Sequence, residues 1–336
     1  MSRTFAVGKL DAEVLARLLG HFVSEHERVV LGPRLGEDVA VLDAGDRYLV
    51  AKSDPITFAT DEIGWYAVNV NANDVATAGA TPLFFLATVL LPEGQTDEAL
   101  VEGIFAQLAA ACRELGIVLV GGHTEITYDL SRPIVCGHLL GEVAKDGLVT
   151  TGGAQVGDAI VLTKGVAVEG TAILAREKAE ELAGQVPADL LARAARFLHD
   201  PGISVVREAQ IAVRTVPVHS MHDPTEGGLA TGLHELADAA GVGVRVELAA
   251  VPILSECQQL CAPFDLNPLG LIASGSLLLT VAPADAEALC LALRREGITA
   301  AVIGEVTPSA AGRVLVVEGR ERPLPRFDQD ELAKVF

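Results

Sequence analysis

Gly64-Trp65-Tyr66-Ala67-Val68-Asn69-Val70-Asn71-Ala72-Asn73-Asp74-Val75-Ala76-Thr77-Ala78-Gly79-Ala80-Thr81-Pro82 is the stretch on which the rest of the chain is organised. Ile63, Ala67, Val70 and Asp74 recur at helical spacing and share one face. Val68, Val75 and Gly79 line another face, so little of this helix is left for water. It nevertheless carries Asn69, Asn71, Asn73 and Asp74, residue types that compete with a helix for its own backbone groups. A buried carboxylate must find a cation or strong donors. Two readings follow: amides and an acid satisfied by neighbouring backbone, or a ligand or metal site, and the density of polar groups favours the second.

Outward from this helix, both halves read as mixed α/β. Apolar Val14, Leu15, Leu18, Leu19 and Phe22 predict an amphipathic helix over residues 11–25. Residues 39–42 and 48–52 read as strands joined by a turn at Ala44-Gly45-Asp46, the second ending near Asp54 because Pro55 cannot donate to a ladder. Residues 83–91 form a long apolar strand. A helix follows, with Asp97 and Glu98 in its first turn and Gly116 as its stop. Residues 117–120 read as a buried strand running into Gly121-Gly122-His123-Thr124-Glu125, and 133–143 as a further strand. Four glycines at 145–157 mark a domain boundary, dividing the chain into residues 1–150 and 151–336. Beyond it, strands are expected at 158–163, 216–221, 244–248, 276–281 and 300–306, with helices between them.

Composition narrows the class. Half of the 336 residues are apolar, enough for a core in each of two domains. No run of uncharged apolar residues is long enough for a membrane span, and no signal core opens the chain. The five cysteines form no metal-type pair; Cys257 and Cys261 could share a helix face, with core filling the favoured reading. Reduced thiols and a cytoplasmic protein are expected. A formal net charge of −20 without a basic stripe argues against nucleic acid, although Mg²⁺ can still bridge carboxylates to a nucleotide's phosphates.

Asp38, Asp54 and Asp74 each end or follow a hydrophobic element, and three acids from three elements can converge on one cation. Such a set suits a metal–nucleotide site better than a closed metal cage; taken singly, Asp38 and Asp54 read as solvated loop acids. Two glycine-bearing loops, Gly121-Gly122-His123-Thr124 and Asp223-Pro224-Thr225-Glu226-Gly227-Gly228, could bring backbone N–H groups to an anion. Each alone equally fits a tight turn or a helix cap. His123 and His222 alone read as hydrogen-bonded structural histidines. Neither a serine-hydrolase elbow nor a zinc-protease motif is present.

Taken together and in order, Gly36-Glu37-Asp38-Val39-Ala40-Val41, Ser53-Asp54, Asn73-Asp74 through Pro82-Leu83, Gly121 to Thr124, Asp223 to Ala230 and Ile303-Gly304-Glu305-Val306 resemble one superfamily. It comprises aminoimidazole ribonucleotide synthetase (PurM), the hydrogenase maturation protein HypE, thiamine-monophosphate kinase and selenophosphate synthetase. The segment at 223–230 and Asn267-Pro268-Leu269 point most closely to HypE-like proteins. The resemblance implies a PurM-like fold. In it an N-terminal α/β domain pairs with its twin in a dimeric β-barrel, and a C-terminal α/β domain closes over ATP. By position Asp38, Asp54 and Asp74 would hold Mg²⁺, with Asp74 and His123 at the chemistry. Asn73, Gly121, Gly122, Thr124, Asp223, Thr225, Gly227 and Gly228 would contact the nucleotide. The implied activity is ATP-dependent phosphoryl transfer to a small-molecule or protein-borne acceptor. The alternative is a nucleotide-binding homodimer without its own chemistry, acting as a maturation or regulatory partner.

Three departures from the HypE pattern bear on the reaction. The sequence has Pro325-Arg326-Phe327 and closes without the terminal cysteine of HypE. Ala273-Ser274-Gly275-Ser276 stands where HypE has Asn-Glu-Gly-Lys, and His123 stands where HypE and the thiamine-phosphate kinase have an acid. As in selenophosphate synthetase that position is histidine, but that family's reactive cysteine and lysine have no counterpart, Lys9 being the one lysine near the start. Cys290 is expected to be packed in a helix, so a carbamoyl or thiol acceptor is expected on another molecule.

Overall fold

The computed structural model describes residues 5, 10, 12–21, 26–33, 36–57 and 61–336. Lys9 and, of the expected first helix, residues 11 and 22–25 lie outside them. The first half runs α1 (Ala12–Leu19), β1 (Val29–Leu31), β2 (Ala40–Asp43), β3 (Arg47–Ile56), α2 (Ile63–Thr77), β4 (Thr81–Pro92), α3 (Glu98–Leu115), β5 (Val118–Thr127) and β6 (Ile134–Ala144). Its sheet has the order β1-β2-β3-β6-β4-β5, antiparallel except for the parallel β4–β5 pair that α3 connects.

The second half runs β7 (Ala159–Thr163), α4 (Val168–Glu177), α5 (Ala179–Leu182), α6 (Ala188–Ala194), α7 (Val206–Thr215), β8 (Val218–His222) and α8 (Gly228–Ala240). It continues with β9 (Gly243–Glu247), α9 (Ser255–Cys261), β10 (Leu278–Val281), α10 (Pro283–Arg295), β11 (Ala300–Thr307), β12 (Arg313–Val317) and β13 (Arg320–Pro323). Its sheet order is β13-β12-β9-β11-β7-β10-β8. The chain is therefore a mixed α/β protein with two sheets. Among the described residues no helix is long and apolar enough to cross a membrane.

Helix α2 lies between the sheets. Every residue from Ile63 to Thr77 except Val70 is buried. Glycines on β6 let the helix come down onto the first sheet: a Cβ at Gly137 would sit 2.3 Å from the Asn71 amide, and one at Gly141 2.4 Å from Val75. From the other side α7 packs on α2, so one apolar core draws Val68, Val75, Phe85 and Leu139 together with Val206, Ala209, Leu279 and Leu289. The neighbours that cover α2 all come from the same chain.

Three local readings are corrected. Strand β3 does not stop near Asp54 but continues through Pro55 to Ile56. Its neighbour β2 pairs only as far as Ala51, so beyond that point β3 has an open side on which a proline breaks no ladder. Strand β5 is not buried: every residue from Val118 to Ile126 is exposed. Gly121 to Thr124 belong to that strand, paired with Leu86 to Val89, and do not form a loop. Gly122 has φ +148°, and a Cβ there would lie 1.9 Å from the Ala87 carbonyl oxygen, beside a register shift between the two strands. Close approach of two backbones accounts for this glycine.

Candidate functional site

Alternation along β3 places Val50, Lys52 and Asp54 on the face towards α2. There the Lys52 ammonium lies 2.9 Å from Asp74 Oδ2 on α2 and 3.4 Å from Asp54 Oδ2. The side chains of Lys52 and Asp74 are only 13% and 6% exposed. Asp38, on the loop before β2, and His222 and Asp223, at the end of β8, complete the group. His222 Nδ1 is 3.4 Å from Asp38 Oδ2, and its Nε2 is 2.9 Å from Glu235 Oε2 on α8. One ligand atom from each of Asp38, His222 and Asp223 lies within 4.8 Å of the others. The site therefore draws on both sheets and on the helix between them.

Electrostatics sets what this group can hold. Burial raises the Asp74 carboxyl to about 7; Lys52 opposes that rise, while Asp38 and Asp54 add to it. Burial also works against the Lys52 charge, but Asp74, Asp54 and Asp38 outweigh it and hold the ammonium above its usual range. His222 behaves likewise: burial opposes its charge, and Asp38 and Glu235 raise it well above the ordinary histidine value. Asp223 is pushed up by burial, then by Asp74 and Asp38. Asp38, Asp54, Asp74, Asp223 and Glu235 thus gather around Lys52 and His222. Among the described residues, one oxygen of the buried Asp223 has no hydrogen-bond partner. Carboxylates gathered this closely, one of them with an unpartnered oxygen, fit a divalent cation.

The asparagines divide. Asn69 donates to the Trp65 carbonyl, and Asn71 to those of Ala67 and Asp54, which is the bland backbone-satisfied arrangement. Asn73 instead donates to Ile203 O and accepts from Val205 N–H, both at 2.8 Å, and stitches α2 to the second half. Lys164 holds the same segment, donating to Gly202 O and Ser204 O while paired with Glu208 at 2.7 Å.

The 223–228 loop lies at the N-terminus of α8, where Gly227 and Gly228 both have positive φ. Gly227 N–H donates to Asp330 Oδ2 at 2.8 Å, and the Thr225 carbonyl accepts from Gly228 and Ala273. Asp223 alone of this loop reaches the acid cluster.

Gly121, Gly122, His123 and Thr124 do not join it. In register, Asp54 pairs with Gly137, Gly137 with Ala87, and Ala87 with Gly122. Three strand spacings, about 14 Å, therefore separate Asp54 from Gly122. His123 is exposed and contacts Glu125 at 3.3 Å.

Sequence reading missed Lys52 and gave His222 no role in the site. The signal for Lys52 was its parity with buried Val50 and with Asp54, on the strand face that meets α2.

Two sheets that share a core around one buried helix, with carboxylates of both converging beside it, define a two-part α/β protein built around an acidic cluster. The chain belongs to the AIR synthase related protein family: the family's N-terminal domain matches residues 36–143 and its C-terminal domain residues 155–317. The carbamoyl dehydratase HypE of Cupriavidus necator is 33% identical over 311 residues, covering 90% of this chain and 84% of that protein. The selenide, water dikinase of Pelobacter propionicus is 29% identical over 316 residues, covering 84% of each. A solved structure of the hydrogenase maturation protein HypE in complex with ATP is 29% identical, with a TM-score of 0.72, covering 89% of this chain and 91% of that one.

Proposed function

We propose that this protein binds Mg²⁺-ATP at the cluster of Asp38, Asp54, Asp74 and Asp223 and uses it to phosphorylate a small-molecule or protein-borne acceptor. The observation that carries this reading is the convergence of Asp38, His222 and Asp223 beside the buried Asp74, with one buried Asp223 oxygen that has no hydrogen-bond partner among the described residues. The relatives support it through their names, a hydrogenase maturation protein solved with ATP and a selenide, water dikinase. Bound magnesium would neutralise phosphate charge and orient the transferring group. Asp38 and Asp223 would approach the ion from the two halves, and Asp74 would hold the site's charge from the helix. Asn73 acts here as a brace that fixes α2 against residues 203–205. Thr225, Gly227 and Gly228 shape the loop that delivers Asp223.

The division into residues 1–150 and 151–336 belongs to the same proposal, as does assembly into a homodimer. Strand β5 supports the dimer: it is an open sheet edge with Val118, Val120 and Ile126 more than half exposed. An exposed apolar edge is a template for another strand, and a second copy is the occupant that closes it symmetrically. Pairing there would carry Gly121, Gly122, His123 and Thr124 to the partner, and we place their role in that interface.

A non-catalytic nucleotide-binding dimer, acting in maturation or regulation, is the second reading. It is favoured by the segment 273–276, whose Ala273, Ser274 and Ser276 are buried and present no carboxylate or amine. Four of the chain's five thiols do not suit an acceptor role either: Cys112, Cys257, Cys261 and Cys290 are buried, and burial raises Cys112 to about 11. ADP release by the protein with Mg²⁺-ATP, alone and then with a metabolite pool, separates the readings. The enzyme reading expects acceptor-stimulated release that Asp74→Asn abolishes. Binding without turnover under every condition would leave the second.

A further inference from the structure

Three segments meet at one end of the second sheet. Strand β10 lies between β7 and β8 and runs antiparallel to both, with Leu278 paired to Leu162 on one side and to His222 on the other. The chain leaving β7 towards Glu169, the chain leaving β8 through Asp223 and the chain entering β10 from Ser274 therefore share that end. The ends of β7 and β8 are two strand spacings, about 10 Å, apart. Hydrogen bonds tie the segments together. Ala273 N–H donates to Thr225 O at 3.1 Å, and Glu169 N–H donates to Ser274 O at 3.3 Å.

Glu169, in the first turn of α4, is a carboxyl at this end that takes no part in the acid cluster. It is 7% exposed, and its Oε2 has no hydrogen-bond partner among the described residues. Ser274 hydrogen-bonds the carboxyl, so the segment 273–276, which has no acid of its own, meets one from α4. Asp330 of the C-terminal segment and Tyr66 of α2 are the titratable groups that face it. Burial, with a smaller push from Asp330, outweighs the Ser274 bond and raises the carboxyl to about 7, where it exchanges its proton at neutral pH. A buried carboxyl oxygen without a partner is costly, and a ligand that meets it removes the cost.

Resting on the metal–nucleotide reading above, we propose that Glu169 takes the proton of the phosphoryl acceptor, and that the acceptor is a neutral group with a proton on its attacking atom, as a hydroxyl has. As the acceptor's attacking atom bonds to the γ-phosphorus, the bond from that phosphorus to ADP breaks. ADP leaves with the electron pair, and the acceptor's proton passes to Glu169 Oε2. An anionic acceptor is disfavoured because Asp223 and Asp330 stand at the same end of the sheet.

The test uses the full chain with Mg²⁺-ATP and water as the acceptor, water being the smallest molecule of that class. ADP release by wild type should rise with pH through about 7. Glu169→Gln should lower it about 100-fold or more and remove that rise, while a non-hydrolysable ATP analogue binds within threefold of wild type. Ser274→Ala removes the bond that favours the charged carboxylate and should move the rise to higher pH. A second readout does not depend on turnover: the infrared band of a protonated buried carboxyl should fade in wild type through the same pH range, persist to higher pH in Ser274→Ala and lose the Glu169 component in Glu169→Gln. Should Glu169→Gln not fold, the Ser274→Ala shift of rate and band decides the matter. ADP release by Glu169→Gln within threefold of wild type, or a rate and band that Ser274→Ala leaves in place, would overturn this inference and leave the metal–nucleotide reading standing. Analogue binding by wild type without ADP release at any pH would do the same. A folded wild type that does not bind the analogue with Mg²⁺ would overturn both.

Discussion

Lys52 and Asp54 on β3 and His123 and Thr124 on β5 belong to the same six-stranded sheet, yet their surroundings differ at every level. β3 is an interior strand whose Lys52 points at a buried helix and meets Asp74 on it. β5 is an edge strand, exposed along both faces, whose His123 meets Glu125, two residues away. In the first region charge is concentrated, shielded from water and held by side chains far apart in sequence. In the second, polar groups stay solvated. Polar residues of one sheet therefore form a charge cluster on one strand and an exposed surface on the other.

The sharpest way to break this contrast is to attack the brace behind the acid cluster. Lys164→Met leaves Glu208 as an unpaired buried charge, and urea unfolding should show a loss of roughly 3–5 kcal/mol. A loss below about 1 kcal/mol would mean that this seam is not sealed.

Next in size is Glu169 on α4, buried, with burial raising its carboxyl to about 7 from an ordinary 4.5 against the opposing hydrogen bond from Ser274. Because the folded form holds a proton that the unfolded chain releases, this contribution to stability is complete below pH 4.5 and is lost as pH rises through 7. The loss across that window is about 3 kcal/mol. Glu169→Gln should flatten the stability–pH curve over it, measured by denaturant midpoints from pH 4 to 8, and an unchanged slope would contradict the assignment.

Asn73→Ala removes two buried hydrogen bonds and strands the Ile203 carbonyl and the Val205 N–H, for an expected loss of about 2–3 kcal/mol in the same unfolding assay. The smallest effect on folding belongs to β5. Val120→Lys should change stability by no more than about 0.5 kcal/mol. Sedimentation should nonetheless show wild type at twice the chain mass and the variant at one. A wild-type monomer at micromolar concentration would remove the interface, and a large stability loss in the variant would show that β5 is packed within its own chain.

The sequence disclosed the two regions unequally, for physical reasons. Helix α2 was legible because apolar residues on more than one of its faces leave no side for water, and Asp74 stood out against them. The α3 boundaries were legible from local chemistry, with Asp97 accepting from Leu100 N–H and Gly116 in the left-handed conformation. Lys52 was not, because a lysine near the end of a strand reads as solvent-facing until the helix lying over that strand is known. Strand β5 was misread for the complementary reason. Leu119 and Val120 are apolar wherever they stand, and whether a strand is interior or edge depends on partners that its own residues do not name. Gly121-Gly122 likewise signalled close backbone approach, which an anion or a neighbouring strand can satisfy equally; here it is Ala87.

The most direct test of the acid cluster as the metal–nucleotide site is a calorimetric titration of a non-hydrolysable ATP analogue, with and without Mg²⁺, into wild type and Asp223→Asn. Wild type should bind in a Mg²⁺-dependent manner. The variant, with its fold verified by circular dichroism and its carboxylate replaced by an amide of the same shape, should bind at least tenfold more weakly. Equal Mg²⁺-dependent affinity in the two proteins would contradict the account.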